Sequence, residues 1–254
     1  MRKSFVALLI ALFWGTTLTY AQENPYVYNP DEDYAIQVKV RYGGKSPVIS
    51  DFVVALWGDA EDEYSNFLIT NWKKFINKQP LEEGTVIILD SRNGYFSCID
   101  EQSDLDYKNK SVTELCYWNC SDGKHKLVAT ANNLFINGKP VEGQYTGLMF
   151  LVYENSTRRM WMVQAEDLGA VVKSENDYFS SGYDADSKSY FVEYANGKKQ
   201  KMSQKEYDDW MENKRPRLTY SLPRQGKNII ISIHADGKVV EKELVWDGMR
   251  FTGK

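Results

Sequence analysis

Cysteine and histidine are scarce: the 254 residues hold three Cys and two His. Three cysteines are too few for the multi-bridge framework of a small disulfide scaffold. A structural zinc site combines two close ligand pairs, and only one loosely spaced pair, Cys116 and Cys120 with His125 nearby, is available. Positive charge is not in excess, so nucleic acid and anionic membrane surfaces, which both need clustered Lys and Arg, are not expected as partners. The basic clusters "NGKKQKM" and "ENKRPR" are short and lie close to acids. No G-x-S-x-G elbow, H-E-x-x-H pair, P-loop or Rossmann fingerprint occurs, and no motif implies a cofactor or a metal.

The start of the chain reads as an export signal. Arg2 and Lys3 precede the apolar run Phe5 to Trp14, and a polar stretch then ends at small Ala21, which suits cleavage before Gln22. The run is about half the roughly twenty residues that span a bilayer. No later run is long enough, and no cysteine near the cleavage site offers a lipid anchor. We therefore expect residues 1–21 to be removed and 22–254 to be soluble, periplasmic or secreted. Removal leaves twenty-nine Lys and Arg against thirty-five Asp and Glu, formally −6.

Periodicity organises the rest. Residues 22–45 begin with proline and acidic turn signals, expected as a floppy start, and then alternate through Ile36, Val38 and Val40 as one strand. In "EDEYSNFLITNWKKFINKQP", Tyr64, Phe67, Leu68, Trp72 and Phe75 fall on one helical face. Acids sit at its start and lysines toward its end, as the helix dipole favours. A shorter helix over Ser50 to Trp57 is its expected partner. After Pro80 the pattern is hairpins: "TVIILDSRNGYFSCID", "SVTELCYW" with "KHKLVATA", and "GLMFLVYENSTRRMWMVQA". The fold class is α+β, an antiparallel meander with an N-terminal helix pair on one face and water on the other. The expected division is 22–165 as the main domain, 166–187 as loop or linker, and 188–254 as a smaller β-rich part. That part contains one short helix, capped at Ser203 by Glu206.

Three stretches, "LCYWNCSDGKHKLVAT", "GQYTGLMFLVYENSTRRM" and "LPRQGKNIIISIHADGKVVEKELVWDG", make most of the mature chain resemble uncharacterised secreted proteins of Bacteroides-type gut bacteria. The resemblance implies export and a periplasmic or surface home. Its motifs are turns and strands, so it carries over no catalytic residue.

"LCYWNCSDGKHKLV" holds the densest set of reactive side chains. On one extended strand, Cys116 and Cys120 would stand about 13 Å apart at roughly 3.3 Å per residue, too far for a disulfide. They join only if the strand breaks near Trp118-Asn119. Cys98 on the preceding strand offers either of them a second route, and a third arrangement keeps all three thiols reduced. A thiol enzyme would use Cys120 as nucleophile, His125 as base and Asp122 to orient the imidazole. His234 is expected at the end of an exposed strand. Asp184 and Asp186 echo a calcium loop, but the loop glycine is missing and Ala195 occupies the twelfth position. The aromatic side chains Tyr117, Trp118, Tyr145, Tyr153 and Trp161 lie on or near the meander, where rings either fill the core or stack on sugars.

These features predict an exported non-catalytic binding or accessory module whose partner is a glycan or an envelope protein. The alternative is a carboxylate-dependent hydrolase acting on a glycan or cell-envelope substrate, which requires two acids facing each other across a cleft. A structural subunit is the third reading.

Overall fold

The computed structural model describes residues 24–30, 37–59, 61–104, 107–143, 145–170, 179–194, 197–235 and 237–253. The expected signal segment 1–21 lies outside the described residues. Strand β1 (Gln37–Lys39) is followed by helices α1 (Ile49–Trp57) and α2 (Glu63–Ile76). Six strands of the expected meander and its flanks come next: β2 (Thr85–Asp90), β3 (Tyr95–Asp104), β4 (Tyr107–Asn119), β5 (His125–Ile136), β6 (Lys139–Val141) and β7 (Gly147–Glu154). With β8 (Arg159–Val163) they form one antiparallel sheet in the order β1-β8-β7-β5-β4-β3-β2, β6 being a spur on β5. The helix pair therefore carries the chain from one edge of this sheet to the other, and the hairpins bring it back.

Helix α1 buries Ile49, Phe52, Val53 and Trp57, the spacing of a single helical face. Helix α2 begins at Asp62, whose carboxylate accepts the Ser65 N–H at 2.9 Å, and buries Leu68, Ile69 and Trp72. The flanking Tyr64, Phe67 and Phe75 of the expected face are partly buried against the same core.

Beyond the central sheet, β9 (Phe179–Asp184), β10 (Ser189–Tyr194) and β11 (Lys199–Met202) form a three-stranded sheet. Helix α3 (Gln204–Asp209) follows, with the Ser203–Glu206 capping box in place, and a π-helical turn, Trp210–Lys214, extends it. The last four strands, β12 (Arg217–Ser221), β13 (Ile229–Ala235), β14 (Lys238–Trp246) and β15 (Phe251–Gly253), make a separate antiparallel sheet. The α+β architecture of helix pair, antiparallel sheet and smaller β-rich C-terminal part is thus present. Within the stretch expected as loop or linker, Leu168 is wholly buried and Phe179–Asp184 is strand.

One expectation is overturned: the central sheet is not wet on its second face. Leu115, Val128, Leu151, Tyr153, Phe96 and Cys98 point toward the helices, while their neighbours Cys116, Trp118, Leu127, Ala129, Phe150, Val152 and Tyr95 join a second core. That core is completed by Leu222, Ile229, Ile231, Leu244, Trp246 and Phe251 of the C-terminal sheet. The expected floppy start is also corrected over 24–30. Trp161 Nε1 donates to Pro25 O at 3.2 Å, Tyr26 O–H donates to Met249 O, and Tyr28 packs edge-on against Trp161.

Two polar side chains fix how the C-terminal sheet seats on the central one. Asn133 on β5 donates to Tyr220 O and accepts from Tyr220 N, both at 2.8 Å, imitating a strand partner. Glu114 on β4 accepts from Leu222 N at 2.9 Å and from Tyr95 O–H at 2.5 Å. Both side chains are buried, so each unmade bond would leave a desolvated polar group. Burial raises the Glu114 carboxyl above the ordinary glutamate range, outweighing the two hydrogen bonds that lower it. The folded chain therefore holds a proton here that the unfolded chain has already released. Stability from this group is complete below the ordinary glutamate pKa and is lost as pH rises through the raised folded value.

Glu114→Ala, which strands the Leu222 N–H and the Tyr95 hydroxyl, is expected to cost about 3 kcal/mol in urea unfolding. Glu114→Gln keeps an acceptor for Leu222 and is expected to cost less than about 1 kcal/mol while flattening the pH dependence. Equal losses for the two variants would show that shape, not hydrogen bonding, matters at this seam.

Candidate functional site

The β4–β5 hairpin ends in the turn Cys120–Lys124, built by local side-chain bonding. Asp122 Oδ1 accepts from Lys124 N at 2.9 Å and His125 N at 3.0 Å, and Oδ2 pairs with His125 Nδ1 at 2.6 Å. Burial raises the Asp122 carboxyl, but the hydrogen bonds from His125 and the backbone outweigh it and hold the group below the usual range. The turn is gripped from both sides. Ser121 N donates to Gly248 O at 3.0 Å in the β14–β15 turn, and Asn155 in the β7–β8 turn donates to Lys124 O at 2.9 Å and Gly123 O at 3.2 Å.

Against this turn lies an open cleft of ≈ 370 Å³ lined by Tyr42, Lys45, Ser46, Asn119, Cys120, Gly123, His125, Lys126 and Asn155. The segment between β1 and α1 supplies Tyr42, Lys45 and Ser46, the hairpin supplies most of the remainder, and the β7–β8 turn supplies Asn155. Tyr42 is fixed twice: it accepts a hydrogen bond from Tyr153 O–H at 3.0 Å, and the Arg158 guanidinium lies 4.5 Å from its ring centre.

Lys126 is the unusual member. It is only 7 % exposed, its Nζ donates to Asn119 Oδ1, and it stands 5.1 Å from the Tyr117 ring centre. No carboxylate of the described residues pairs with it, and burial lowers its pKa. Tyr117 can pass beneath it because the β2–β3 turn carries Gly94 at φ 66°, where an added Cβ would stand 2.7 Å from the tyrosine ring. A buried lysine without a counter-charge is costly, which makes its place beside the cleft notable.

Each residue singled out in the sequence has a definite place. All three cysteines are free and buried. Cys98 faces the helices opposite Thr113, whereas Cys116 faces the C-terminal sheet opposite Tyr95, so the sheet itself separates them. Burial pushes Cys98 and Cys120 up to about 12 and Cys116 well above its ordinary value. This weighs against the thiol-enzyme reading. His125 does have the Asp122 partner that reading asks for, but burial raises the Cys120 thiol, and the imidazole packs on Tyr26 and Trp161 with no hydrogen bond to Cys120 among the described residues.

The aromatic candidates are mostly interior. Trp118 packs against Trp246 and Phe251, Trp161 against Tyr28, and Tyr153 against Phe52, so none of these rings is open to a sugar. Tyr145 stacks on Tyr64 at 4.9 Å, and Tyr117 is half-buried between Phe52 and Lys126. Asp184 accepts bonds from Asp186 N, Ser187 N and Ser187 Oγ, closing its own turn. Among the described residues no group of three or more His, Cys, Asp or Glu is arranged to hold a metal ion. His234 lies in β13 and pairs with Thr219 Oγ1 at 2.9 Å. Among the described residues that line the cleft none is Asp or Glu, whereas the hydrolase alternative calls for two acids facing each other.

Sequence reading found the hairpin and missed its lysine. The signal was present: in "KHKLVATA", Lys126 takes a place in an otherwise apolar strand that leads directly into the core.

Native protein treated with a maleimide is expected to leave all three thiols unmodified over minutes, and denatured, unreduced protein to take up three labels by intact mass. Fast labelling of one native cysteine would restore the reactive-thiol reading.

Among the described residues no helix is long and apolar enough to cross a membrane. No family model, curated protein or solved structure matches this chain.

Proposed function

We propose that the protein is an exported, non-catalytic binding or accessory module of the bacterial cell envelope, and that it takes its ligand in the cleft at the β4–β5 hairpin end. One observation carries the reading. The cleft is lined by hydrogen-bonding side chains from three separate segments, while among the described residues its lining holds no carboxylate and its one thiol, Cys120, is buried. Pre-set donors and acceptors without a nucleophile are the equipment of recognition.

Size selects between the expected partners. At ≈ 370 Å³ the cleft matches the size of a small ligand, which favours a short glycan. The export signal at residues 1–21 and the resemblance to secreted proteins of Bacteroides-type bacteria support an envelope setting.

Titration of ¹⁵N-labelled protein with a panel of mono- and disaccharides is expected to shift amide signals of Asn119, Gly123, His125 and Asn155 together. Turnover of any panel member, or shifts confined to a different surface, would overturn the reading.

A further inference from the structure

Within that binding reading, we propose that the ligand group seated deepest in the cleft is a carboxylate held by Lys126, so that the preferred glycan carries a uronic acid.

The mature chain is expected to be acidic, yet the described residues lining the cleft include two lysines and no carboxylate. Three acids near the cleft have partners of their own. Asp122 holds His125 and two backbone N–H groups, Glu154, opposite His125 in the β5–β7 register, accepts from Thr157 Oγ1 at 2.8 Å, and Asp51 in the first turn of α1 accepts the Val48 N–H at 2.8 Å. Arg158 lies behind Tyr42, adding positive charge to the same wall.

Geometry then singles out Lys126. An ammonium has three donors, and among the described residues only one is placed, on Asn119. Its stem is buried and the residue lines the cleft, so a carboxylate seated there can take a charge-assisted bond from a second N–H. Unlike Lys45, which is exposed and at the rim, it loses little side-chain entropy on binding because packing on Tyr117 has already fixed it.

A single negative charge fits better than a phosphate dianion. Phosphate sites commonly employ arginine forks, backbone nests or free helix N-termini. No arginine lines this cleft, and the start of α1 is neutralised by its own Asp51. Asn119, Asn155 and Ser46 are left to meet the hydroxyl groups of a sugar ring.

Glucuronate and glucose differ only at C6, carboxylate against hydroxymethyl, and make a matched pair for calorimetric titration of the purified protein. Glucuronate is expected to bind at least about ten-fold more tightly, the scale of one hydrogen bond to a charged group. Lys126→Met, of similar length and without charge, is expected to abolish that preference, while Lys124→Met on the exposed side of the same turn leaves it intact. Should the Met variant fail to fold, Lys126→Gln serves the same purpose.

The possible failures are separable. Equal binding of the two sugars, or unchanged glucuronate binding by the Lys126 variants, overturns the carboxylate inference and leaves the glycan-binding reading standing. Tighter binding of inorganic phosphate than of glucuronate also overturns it. If neither sugar binds but acetate shifts the signals around Lys126 in the parent protein alone, the carboxylate site stands and the glycan reading falls. Silence from both sugars and acetate overturns both.

Discussion

A β-strand has two faces, and in this protein the central strands must bury both. The whole architecture follows from that demand. Successive residues on β4 alternate between a helix-side core and a core shared with the C-terminal sheet: Leu115, Cys116, Tyr117 and Trp118 take the two sides in turn. A slip of one residue in any central strand would exchange its two neighbourhoods wholesale, and the two differ in shape. Seating the second layer takes more than apolar contact. Glu114 and Asn133, diagonal neighbours on β4 and β5, bond respectively to Leu222, just past the end of β12, and to Tyr220 within it, and so set the register of one sheet on the other. Apolar burial supplies most of the driving force, but it is non-directional; the polar seam supplies the direction.

The cleft lies where this sandwich ends. Val128 is wholly buried in the helix-side core, and two residues earlier on the same face Lys126 has passed beyond it, among Tyr117, Tyr153 and Tyr42. The hairpin turn beyond is held by the β7–β8 and β14–β15 turns. A lysine there keeps its stem among rings and its charge at the edge of the cleft. A ligand bound at the rim of a rigid sheet would meet fixed partners without moving the core.

Local chemistry made most of the elements legible. Helix α2 announced itself through its apolar face, and the hairpins at Asn93-Gly94, Ser121-Asp122-Gly123 and Asn137-Gly138 through turn residues that tolerate the required backbone. The second cover of the sheet was written less plainly. "LCYW", "LVA" and "FLVY" are unbroken small or apolar runs, the mark of a strand buried on both faces, but an aromatic-rich run can equally be read as an exposed binding face. That ambiguity put Trp118 and Trp161 forward as ligand contacts when they are core. Cys116 and Cys120 drew attention for their chemistry, whereas burial makes them small apolar side chains. The cleft was not legible, because Tyr42, Lys126 and Asn155 meet only after the sheet has formed.

A crystal structure of the protein soaked with glucuronate tests the central claim most directly. The account predicts electron density for the sugar in the cleft, its carboxylate within hydrogen-bonding distance of Lys126 Nζ and its hydroxyls near Asn119 and Asn155. An empty cleft with Lys126 paired to one of the protein's own carboxylates would contradict it.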